Sequence, residues 1–296
     1  MLEIKLILCP VDFSEFSIRA YHYALSLAAH YRANVVVQNI VEIWRYPYAD
    51  YVASQGDYQE FCRALREGGE EKLREFVKQH PHDDTQPELA VHEGIAADCI
   101  LSFVKARKTD LIVMGTHGRR GFDRMVLGSV ADRVMRRAPC PVLTICKAPP
   151  ESTAAGEERH HVHHLNRILY CTDFSENSAP ALNYAISATE EYDAELTLLH
   201  VLEEIPSPAK KTEAIATATE QLDKLIPAEE RNKLKIKTTV RIGKPYQQII
   251  QFAQEAQIDM VALGVSGRGA LDRAVFGSTT YRVIQLGPCP VLAVHA

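Results

Sequence analysis

Two glycine-rich loops with identical spacing carry the strongest chemical signal in this chain. They read Gly115-x2-Gly118-x9-Gly128-Ser129 and Gly264-x2-Gly267-x9-Gly277-Ser278. Glycine lets the backbone approach a ligand without a Cβ in the way, and the N-terminus of a following helix offers free N–H groups to a phosphate. The loops therefore indicate two phosphate-binding sites, although either loop alone also fits a tight turn that leads into a Ser-capped helix.

Polar and basic residues strengthen the phosphate prediction in both loops. The hydroxyl of Ser129 can donate to a phosphate oxygen, and Arg119 and Arg268 follow the second glycine of each loop, where they can neutralise charge. The predicted contacts also include chain neighbours of the loops, namely Met114, Val130, Leu263 and Thr279.

A lone carboxylate follows the first strand signal of each half, at Asp12 and at Asp173. A carboxylate accepts hydrogen bonds only, so it would repel phosphate and suits a ribose hydroxyl or an exocyclic amine. The alternative is that each Asp caps the helix that follows. Anion-binding groups at one end and an acceptor at the other match a nucleotide. The neighbours predicted to contact its nucleoside end are Val11, Ser14, Thr172 and Ser175, and backbone groups of Ile40 and Val201 are predicted to contact the base.

The chain is an internal repeat. The segment Val11-Asp12-Phe13-Ser14-Glu15 recurs as Thr172-Asp173-Phe174-Ser175-Glu176, 161 residues later, and Pro139-Cys140-Pro141-Val142-Leu143 recurs as Pro288-Cys289-Pro290-Val291-Leu292, 149 residues later. The first copy therefore holds 12 extra residues between its second and third strands. The repeat predicts a first domain over residues 1–147, a linker over 148–165 and a second domain over 166–296.

Each copy alternates strand and helix signals. In the first copy we predict strands at Ile4–Cys9, Val35–Ile40, Glu88–His92, Leu111–Met114 and Val142–Cys146, and helices over about 15–31, 57–79, 96–107 and from about 128. Continuous apolar strands separated by helices imply parallel sheets covered on both faces. The predicted fold is α/β, with two tandem doubly wound, five-stranded, Rossmann-like domains. Such sheets bind ligands where the strand order reverses, so we expect the first and fourth strands to be neighbours.

Composition excludes several classes of protein. The 296 residues include 33 basic and 38 acidic side chains, a formal charge of -5, which disfavours nucleic acid as a partner. The first apolar run, Leu6 to Val11, is too short to span a membrane. Seven scattered cysteines without a Cys-x-x-Cys pair suit reduced thiols, so we expect a soluble, cytoplasmic protein in which Cys140 and Cys289 are core residues.

Fast ATP turnover is not expected. The chain has neither a Gly-x4-Gly-Lys-[Ser/Thr] loop nor a Gly-x-Gly-x2-Gly fingerprint. The acids inside the glycine loops, Asp123 and Asp272, each precede an arginine that can pair with them.

At these motifs the chain resembles the universal stress protein family, in its tandem two-domain form. The resemblance rests on the two Asp-Phe-Ser segments, both glycine loops and the Pro-Cys-Pro-Val-Leu endings. It implies ATP or ADP bound in each domain with little or no hydrolysis, assisted by a divalent cation such as Mg²⁺. It also implies that the fifth strands, Val142–Cys146 and Val291–His295, pair within one molecule as an intramolecular pseudo-dimer.

Three functions remain open at this point. The leading interpretation is an ATP-binding stress-response sensor or regulator with an unidentified protein partner; a homodimer of the tandem chain is a further expectation. The alternatives are a slow ATPase or nucleotide hydrolase, and a scaffold with vestigial pockets. The histidines between His160 and His164 could bind zinc, and the aromatic run from Trp44 to Tyr51 could cover a ligand or face a partner.

Overall fold

The computed structural model describes residues 3–43, 58–81, 85–117, 127–145, 164–204, 208–231, 233–265 and 277–295. Within these ranges the chain divides into two compact units, one over residues 3–140 and the other combining residues 141–145 with 164–295. The aromatic run from Trp44 and the histidines at 160–163 lie outside the described residues.

The first unit alternates strands and helices. Its elements are β1 (Leu6–Pro10), α1 (Glu15–Tyr31), β2 (Asn34–Val41), α2 (Tyr58–Gln79), β3 (Glu88–Glu93), α3 (Ala96–Arg107), β4 (Leu111–Gly115) and α4 (Ser129–Arg137). The strands pair in parallel in the order β3-β2-β1-β4.

The second unit repeats this order and begins with one additional strand. Its elements are β5 (Val142–Ile145), β6 (Arg167–Thr172), α5 (Ala179–Tyr192), β7 (Glu195–Leu202), a 3-10 turn (Pro208–Lys210), α6 (Lys211–Lys224), α7 (Ala228–Arg231), β8 (Lys235–Ile242), α8 (Pro245–Glu255), β9 (Met260–Gly264), α9 (Ser278–Leu286) and β10 (Val291–Val294). The strand order is β5-β10-β9-β6-β7-β8, with β5 alone antiparallel to its neighbour.

The strand order reverses beside the first strand of each repeat. In the first unit β1 pairs with both β2 and β4, and Leu8 is opposite Ile112. In the second, β6 pairs with both β7 and β9, and Cys171 is opposite Leu263. The predicted neighbourhood of first and fourth strands is therefore confirmed, and with it the α/β, doubly wound, Rossmann-like fold class.

Buried apolar strands account for this architecture. Ile7, Leu8 and Cys9 are fully buried in β1, as expected of a strand covered by helices on both faces. The predicted helices over 15–31 and 96–107 coincide with α1 and α3, and the predicted strand limits lie within two residues of the observed ones.

The fifth strand of the first repeat lies in the second unit. There β5 runs antiparallel to β10, and Thr144 is opposite Val291. The buried Thr144 hydroxyl donates to the Val291 carbonyl at 3.0 Å. This confirms the expected pairing of the two fifth strands within one chain. The compact units thus divide before β5, and the domain limits at 147 and 166 stay a prediction.

The first helices of the two repeats begin differently. Ser14 caps α1 and accepts a hydrogen bond from the Ser17 N–H. In the second repeat Ser178 is the N-cap, and α5 carries Pro180 in its first turn. Proline has no N–H to donate and is tolerated only in the first turn of a helix, which accounts for the later start.

No helix among the described residues is both long enough and apolar enough to cross a membrane.

Candidate functional site

The residues after β1 form a tight turn around the Asp12 carboxylate. Oδ1 of Asp12 accepts hydrogen bonds from the Ser14 N–H at 3.1 Å and from the Ser14 hydroxyl at 2.6 Å. Phe13, between them, has a φ of +65°, a conformation that few non-glycine residues adopt. The turn fixes the position of the carboxylate at the carboxyl end of the sheet.

The second repeat reproduces this turn after β6. Oδ1 of Asp173 accepts from the Ser175 N–H at 3.0 Å and from the Ser175 hydroxyl at 2.6 Å, and Phe174 has a φ of +63°. Neither aspartate is a helix N-cap, because Ser14 and Ser178 hold those positions. The capping alternative for the two aspartates is therefore wrong.

The first glycine of each loop meets the start of the first helix of its repeat, α1 or α5. An ideal Cβ on Gly115 would lie 2.8 Å from the Phe16 Cβ, and one on Gly264 would lie 2.4 Å from the Asn177 carbonyl oxygen. These contacts hold the Asp12 turn beside the end of β4 and the Asp173 turn beside the end of β9. The sequence analysis attributed the missing Cβ to the approach of a ligand; in the structure, the space of that Cβ at Gly115 and at Gly264 is taken by the chain itself.

The last glycine of the first loop begins a helix. Gly128 is the N-cap of α4 and has no side chain with which to cap it. Its N–H donates to the Thr116 carbonyl at 2.8 Å, which holds the helix start at the end of β4. The N–H of Asp132 makes the first helical bond, to the Gly128 carbonyl, so the amides of Ser129 and Val130 precede the helical ladder.

The second loop ends in the same way. Gly277 is the N-cap of α9, and its N–H donates to the Val265 carbonyl at 2.8 Å. The Thr280 hydroxyl donates to the Gly264 carbonyl, also at 2.8 Å, tying the first helical turn to the end of β9. Ser129 and Ser278 are the first helical residues and not caps, so the Ser-cap alternative is wrong in both copies.

Most of the predicted site residues lie at the carboxyl ends of the strands in each sheet. In the first repeat the structure places there Val11, Asp12, Ser14, Met114, Gly115, Gly128, Ser129 and Val130. In the second it places there Thr172, Asp173, Ser175, Leu263, Gly264, Gly277, Ser278 and Thr279. Ile40 and Val201 are the penultimate residues of β2 and β7. Gly118, Arg119, Gly267 and Arg268 lie outside the described residues.

The sequence interpretation missed one buried side chain beneath each turn. Nδ2 of Asn39 donates to the Val11 carbonyl at 2.8 Å, and Nδ1 of His200 lies 2.8 Å from the Thr172 carbonyl. Asn39 is 4% and His200 7% exposed. A polar residue inside a largely apolar strand is a signal that includes both, since a buried polar group needs a partner.

Burial keeps the nearby thiols protonated. Desolvation raises the pKa of the Cys9 thiol on β1 and of the Cys171 thiol on β6. Burial also raises the pKa of Tyr170, whose hydroxyl donates to the Ser178 carbonyl at 3.1 Å. A thiol reacts as a nucleophile only when it is ionised, so these two cysteines are structural. In the part of the chain that the structure describes, no three His, Cys, Asp or Glu side chains are grouped closely enough to hold a metal ion.

Known proteins share both the sequence pattern and the fold. The model of the universal stress protein family matches residues 3–145 and again 164–295. A universal stress protein of Methanocaldococcus jannaschii is 35% identical over 147 residues, covering 50% of this chain and 85% of its own length. One from Mycolicibacterium smegmatis is 24% identical over 298 residues, covering 98% of this chain and 96% of its own.

A crystal structure supports the tandem layout. The universal stress protein of Archaeoglobus fulgidus DSM 4304 matches with a TM-score of 0.70 and 21% identity, covering 98% of this chain and 96% of that chain. At this level of identity the likeness concerns the fold. Two family matches that together span nearly all of the chain place it in the universal stress protein family, as a protein of two universal stress protein domains in tandem.

Proposed function

We propose that each repeat binds an adenine nucleotide, ATP or ADP, at the carboxyl edge of its sheet, and that the protein acts as a nucleotide-dependent stress-response regulator. One observation carries the proposal. In both repeats, an ordered carboxylate and the start of a helix without a side-chain cap lie at the ends of the two strands that flank the reversal. This is where doubly wound sheets bind nucleotides.

The helix starts suit the phosphates. The amides of Ser129 and Val130 precede the first helical bond of α4, and those of Ser278 and Thr279 hold the same positions in α9. Free N–H groups and the positive end of the helix dipole favour an anion at such a terminus. The Ser129 and Ser278 hydroxyls add a donor each, because neither serine is consumed as a cap.

The carboxylates suit the nucleoside. Oδ1 of Asp12 and of Asp173 accepts from the serine two residues on, so each carboxylate is already oriented before a ligand arrives. A carboxylate has several lone-pair sites, so it can also accept from a ribose hydroxyl or from the exocyclic amine of adenine. A phosphate would be repelled from this end, which sets the direction in which the nucleotide lies.

Mg²⁺ would accompany the nucleotide without a dedicated protein site. Mg²⁺ usually keeps several waters and binds through phosphates with one or two carboxylates. The donors at the helix starts are amides and hydroxyls, which fit phosphate oxygens better than they fit a cation. The ion would therefore be held mainly by the nucleotide.

Nucleotide bound in the two sites would regulate the protein by stabilising its folded state. A ligand that binds only the folded state at 100 times its Kd stabilises that state by about 2.7 kcal/mol. The protein would report cellular ATP through its stability and through the surface it presents to a partner. We propose that hydrolysis is slow at most, since the loops lack the P-loop lysine and the nearest thiols are protonated.

Calorimetric titration with ATP and Mg²⁺ tests the proposal. Wild-type protein should bind two nucleotides per chain, while Asp12→Ala and Asp173→Ala should each weaken one site by about tenfold or more. Glu190→Ala, which removes an exposed carboxylate from α5, is the matched control and should bind like wild type. Absence of binding by the folded wild-type protein, or equal affinities in all four proteins, would reject the proposal.

A further inference from the structure

We propose that Asn39 and His200 are positioning residues that orient the nucleotide-binding carboxylates of Asp12 and Asp173. Each reaches from the second strand of its repeat to the carbonyl that immediately precedes its aspartate. The inference rests on the proposed nucleotide site and adds to it the residue that sets the geometry of the nucleoside end.

In the first repeat, β2 binds both the backbone N–H and the backbone carbonyl of Val11, the residue before Asp12. The Val11 N–H donates to the Gln38 carbonyl at 2.8 Å, and the Val11 carbonyl accepts from Nδ2 of Asn39 at 2.8 Å. The next residues are Asp12 and the positive-φ residue Phe13. Asn39 therefore fixes the last point of the chain before the turn that carries the carboxylate.

In the second repeat an imidazole makes the same bond. A carbonyl oxygen only accepts, so Nδ1 of His200 must carry the proton that it shares with Thr172 at 2.8 Å. The ring also packs on Phe174, with centroids 4.3 Å apart and planes 34° apart. The Phe174 N–H in turn donates to the Thr172 hydroxyl at 2.9 Å. His200 thus contacts the chain on both sides of Asp173.

The comparison of the two repeats separates hydrogen bonding from packing. Asn39 and His200 stand 161 residues apart, the same offset that relates Asp12 to Asp173. The two side chains differ in size and shape, and both place a nitrogen donor 2.8 Å from the carbonyl before the aspartate. The shared feature is the donor, which indicates that the bond and not the bulk is what the turn requires.

Loss of the donor would loosen the turn. A buried carbonyl without a partner is unfavourable, and a non-glycine residue at positive φ persists only where its surroundings hold it. Without Asn39 or His200, the Val11 or Thr172 peptide could rotate to regain a partner, and the attached carboxylate would move with it. The phosphate end depends on α4 or α9 and would be unaffected.

The test uses two probes in the full-length chain. Calorimetry uses an Asp12→Ala background, in which the first site binds ATP about tenfold more weakly, so the second site is the tighter of the two for ATP, the complete ligand. Inorganic tripolyphosphate is the phosphate probe and titrates the helix starts of both repeats, since it carries no nucleoside for the carboxylates to bind. His200→Phe keeps a ring against Phe174 and removes the donor; it should weaken ATP about three- to tenfold and leave tripolyphosphate within about twofold. His200→Asn, which borrows the donor of the first repeat, should restore ATP binding to within about threefold of the parent.

The first site offers the reciprocal measurement, and it also serves if His200→Phe does not fold. In an Asp173→Ala background, Asn39→Asp replaces the donor by an acceptor of the same shape and should weaken ATP selectively, while Asn39→His should restore it. Urea unfolding of each variant confirms that a folded protein is titrated.

The outcomes separate the positioning role from the proposed function. Equal weakening of ATP and tripolyphosphate, or His200→Asn binding as poorly as His200→Phe, would overturn the positioning role. ATP binding that depends on Asp12 and Asp173 but not on Asn39 or His200 would overturn it as well, and would leave the nucleotide site standing. A folded wild-type chain that binds no ATP would reject both.

Discussion

Gly115 and Phe16 are in direct contact: an ideal Cβ on the glycine would lie 2.8 Å from the Phe16 Cβ and 3.0 Å from its carbonyl carbon. The first turn of α1 therefore rests on the last residue of β4. Because the Asp12 turn immediately precedes this helix, the contact joins the two halves of the candidate site in the first repeat.

Gly115→Ala is expected to lower the free energy of unfolding by about 1–3 kcal/mol, the usual result of overpacking. Gly264→Ala should cost more than Gly115→Ala, because its Cβ would lie 2.4 Å from the Asn177 carbonyl oxygen and 3.0 Å from the Ser178 Cα, and backbone cannot move as a side chain can. Urea unfolding measures both.

The control is Gly68→Ala in α2, where nothing lies within 4 Å of the new Cβ and a gain of about 0.5–1 kcal/mol is expected. Gly115→Ala as stable as Gly68→Ala would contradict the prediction.

Removal of the Thr144 hydroxyl should weaken the pairing of β5 with β10. Thr144 is fully buried and donates to the Val291 carbonyl at 3.0 Å, so Thr144→Val is expected to cost about 0.5–1.5 kcal/mol. The loss would be measured by thermal or urea unfolding. Thr217→Val, at an exposed position of α6, is the control and should change stability by less than about 0.5 kcal/mol. A Thr144→Val protein as stable as this control would argue against the bond.

The fold was largely predictable because its signals are local. Apolar runs such as Ile7-Leu8-Cys9 indicate buried strands, and the helix pattern between them implies parallel crossovers. The internal repeat then gave the same architecture twice, and the resemblance to the universal stress protein family implied that β5 and β10 would pair. The limits of the strands were less predictable, since a strand ends where its neighbour ends and not where its own apolar run does.

The candidate site was predictable only in part. Asp12 was found because a lone carboxylate directly follows a strand signal, and the Gly128 helix start was found because its glycine loop recurs with identical spacing. Asn39 was missed because its role depends on the register between β1 and β2, which brings it to a carbonyl 28 residues away in the chain. The contact between Gly115 and Phe16 was not predictable, because sequence cannot show that Phe16 occupies the space a Cβ would take.

Native thiol reactivity should follow burial. Cys9, Cys140, Cys171 and Cys289 are buried, while Cys62 and Cys99 are partly exposed; burial raises the pKa of Cys140 to about 12. Maleimide at neutral pH should therefore modify Cys62 and Cys99 first, as mass spectrometry of peptides would show. Cys146, outside the described residues, is replaced by Ser in the test protein. In concentrated urea, all remaining cysteines should react with maleimide at similar rates. Labelling of Cys140 in the native protein as fast as that of Cys62 would count against a core role for Cys140.

The two sites should differ in their preference for triphosphate. His117 and Arg120 of the first loop correspond to Ser266 and Gly269 in the second, so the first loop carries more positive charge. We expect the ratio of ATP to AMP affinity to be about fivefold higher at the first site, the effect of about 1 kcal/mol of screened charge interaction. Calorimetry on Asp173→Ala reports the first site and on Asp12→Ala the second. Equal ratios would end the hypothesis.

An ion pair on the first unit should give a pH-dependent stability difference. The Arg107 guanidinium donates two hydrogen bonds of 2.8 Å to Glu88 and lowers the pKa of that carboxyl. A carboxyl with a lowered pKa in the folded state contributes above its unfolded pKa and loses that contribution as the pH falls through the folded value. Glu88→Gln should thus be slightly less stable than wild type at pH 7 and equal to it in acid. Glu67→Gln, exposed on α2, is the control; a Glu88→Gln deficit that persists in acid would contradict the expectation.

Because β5 pairs with a strand at the far end of the second repeat, it must wait for its partner during synthesis. Thr144 and Val291 are 147 residues apart, so at a synthesis rate of about 5–20 residues per second the nascent β5 waits about 7–30 s for the segment that will pair with it. During that interval an apolar tetrapeptide, Val142–Ile145, has one unfilled edge. The first repeat therefore leaves the ribosome before the partner of its last strand exists, and β5 can pair only after β10 has been made.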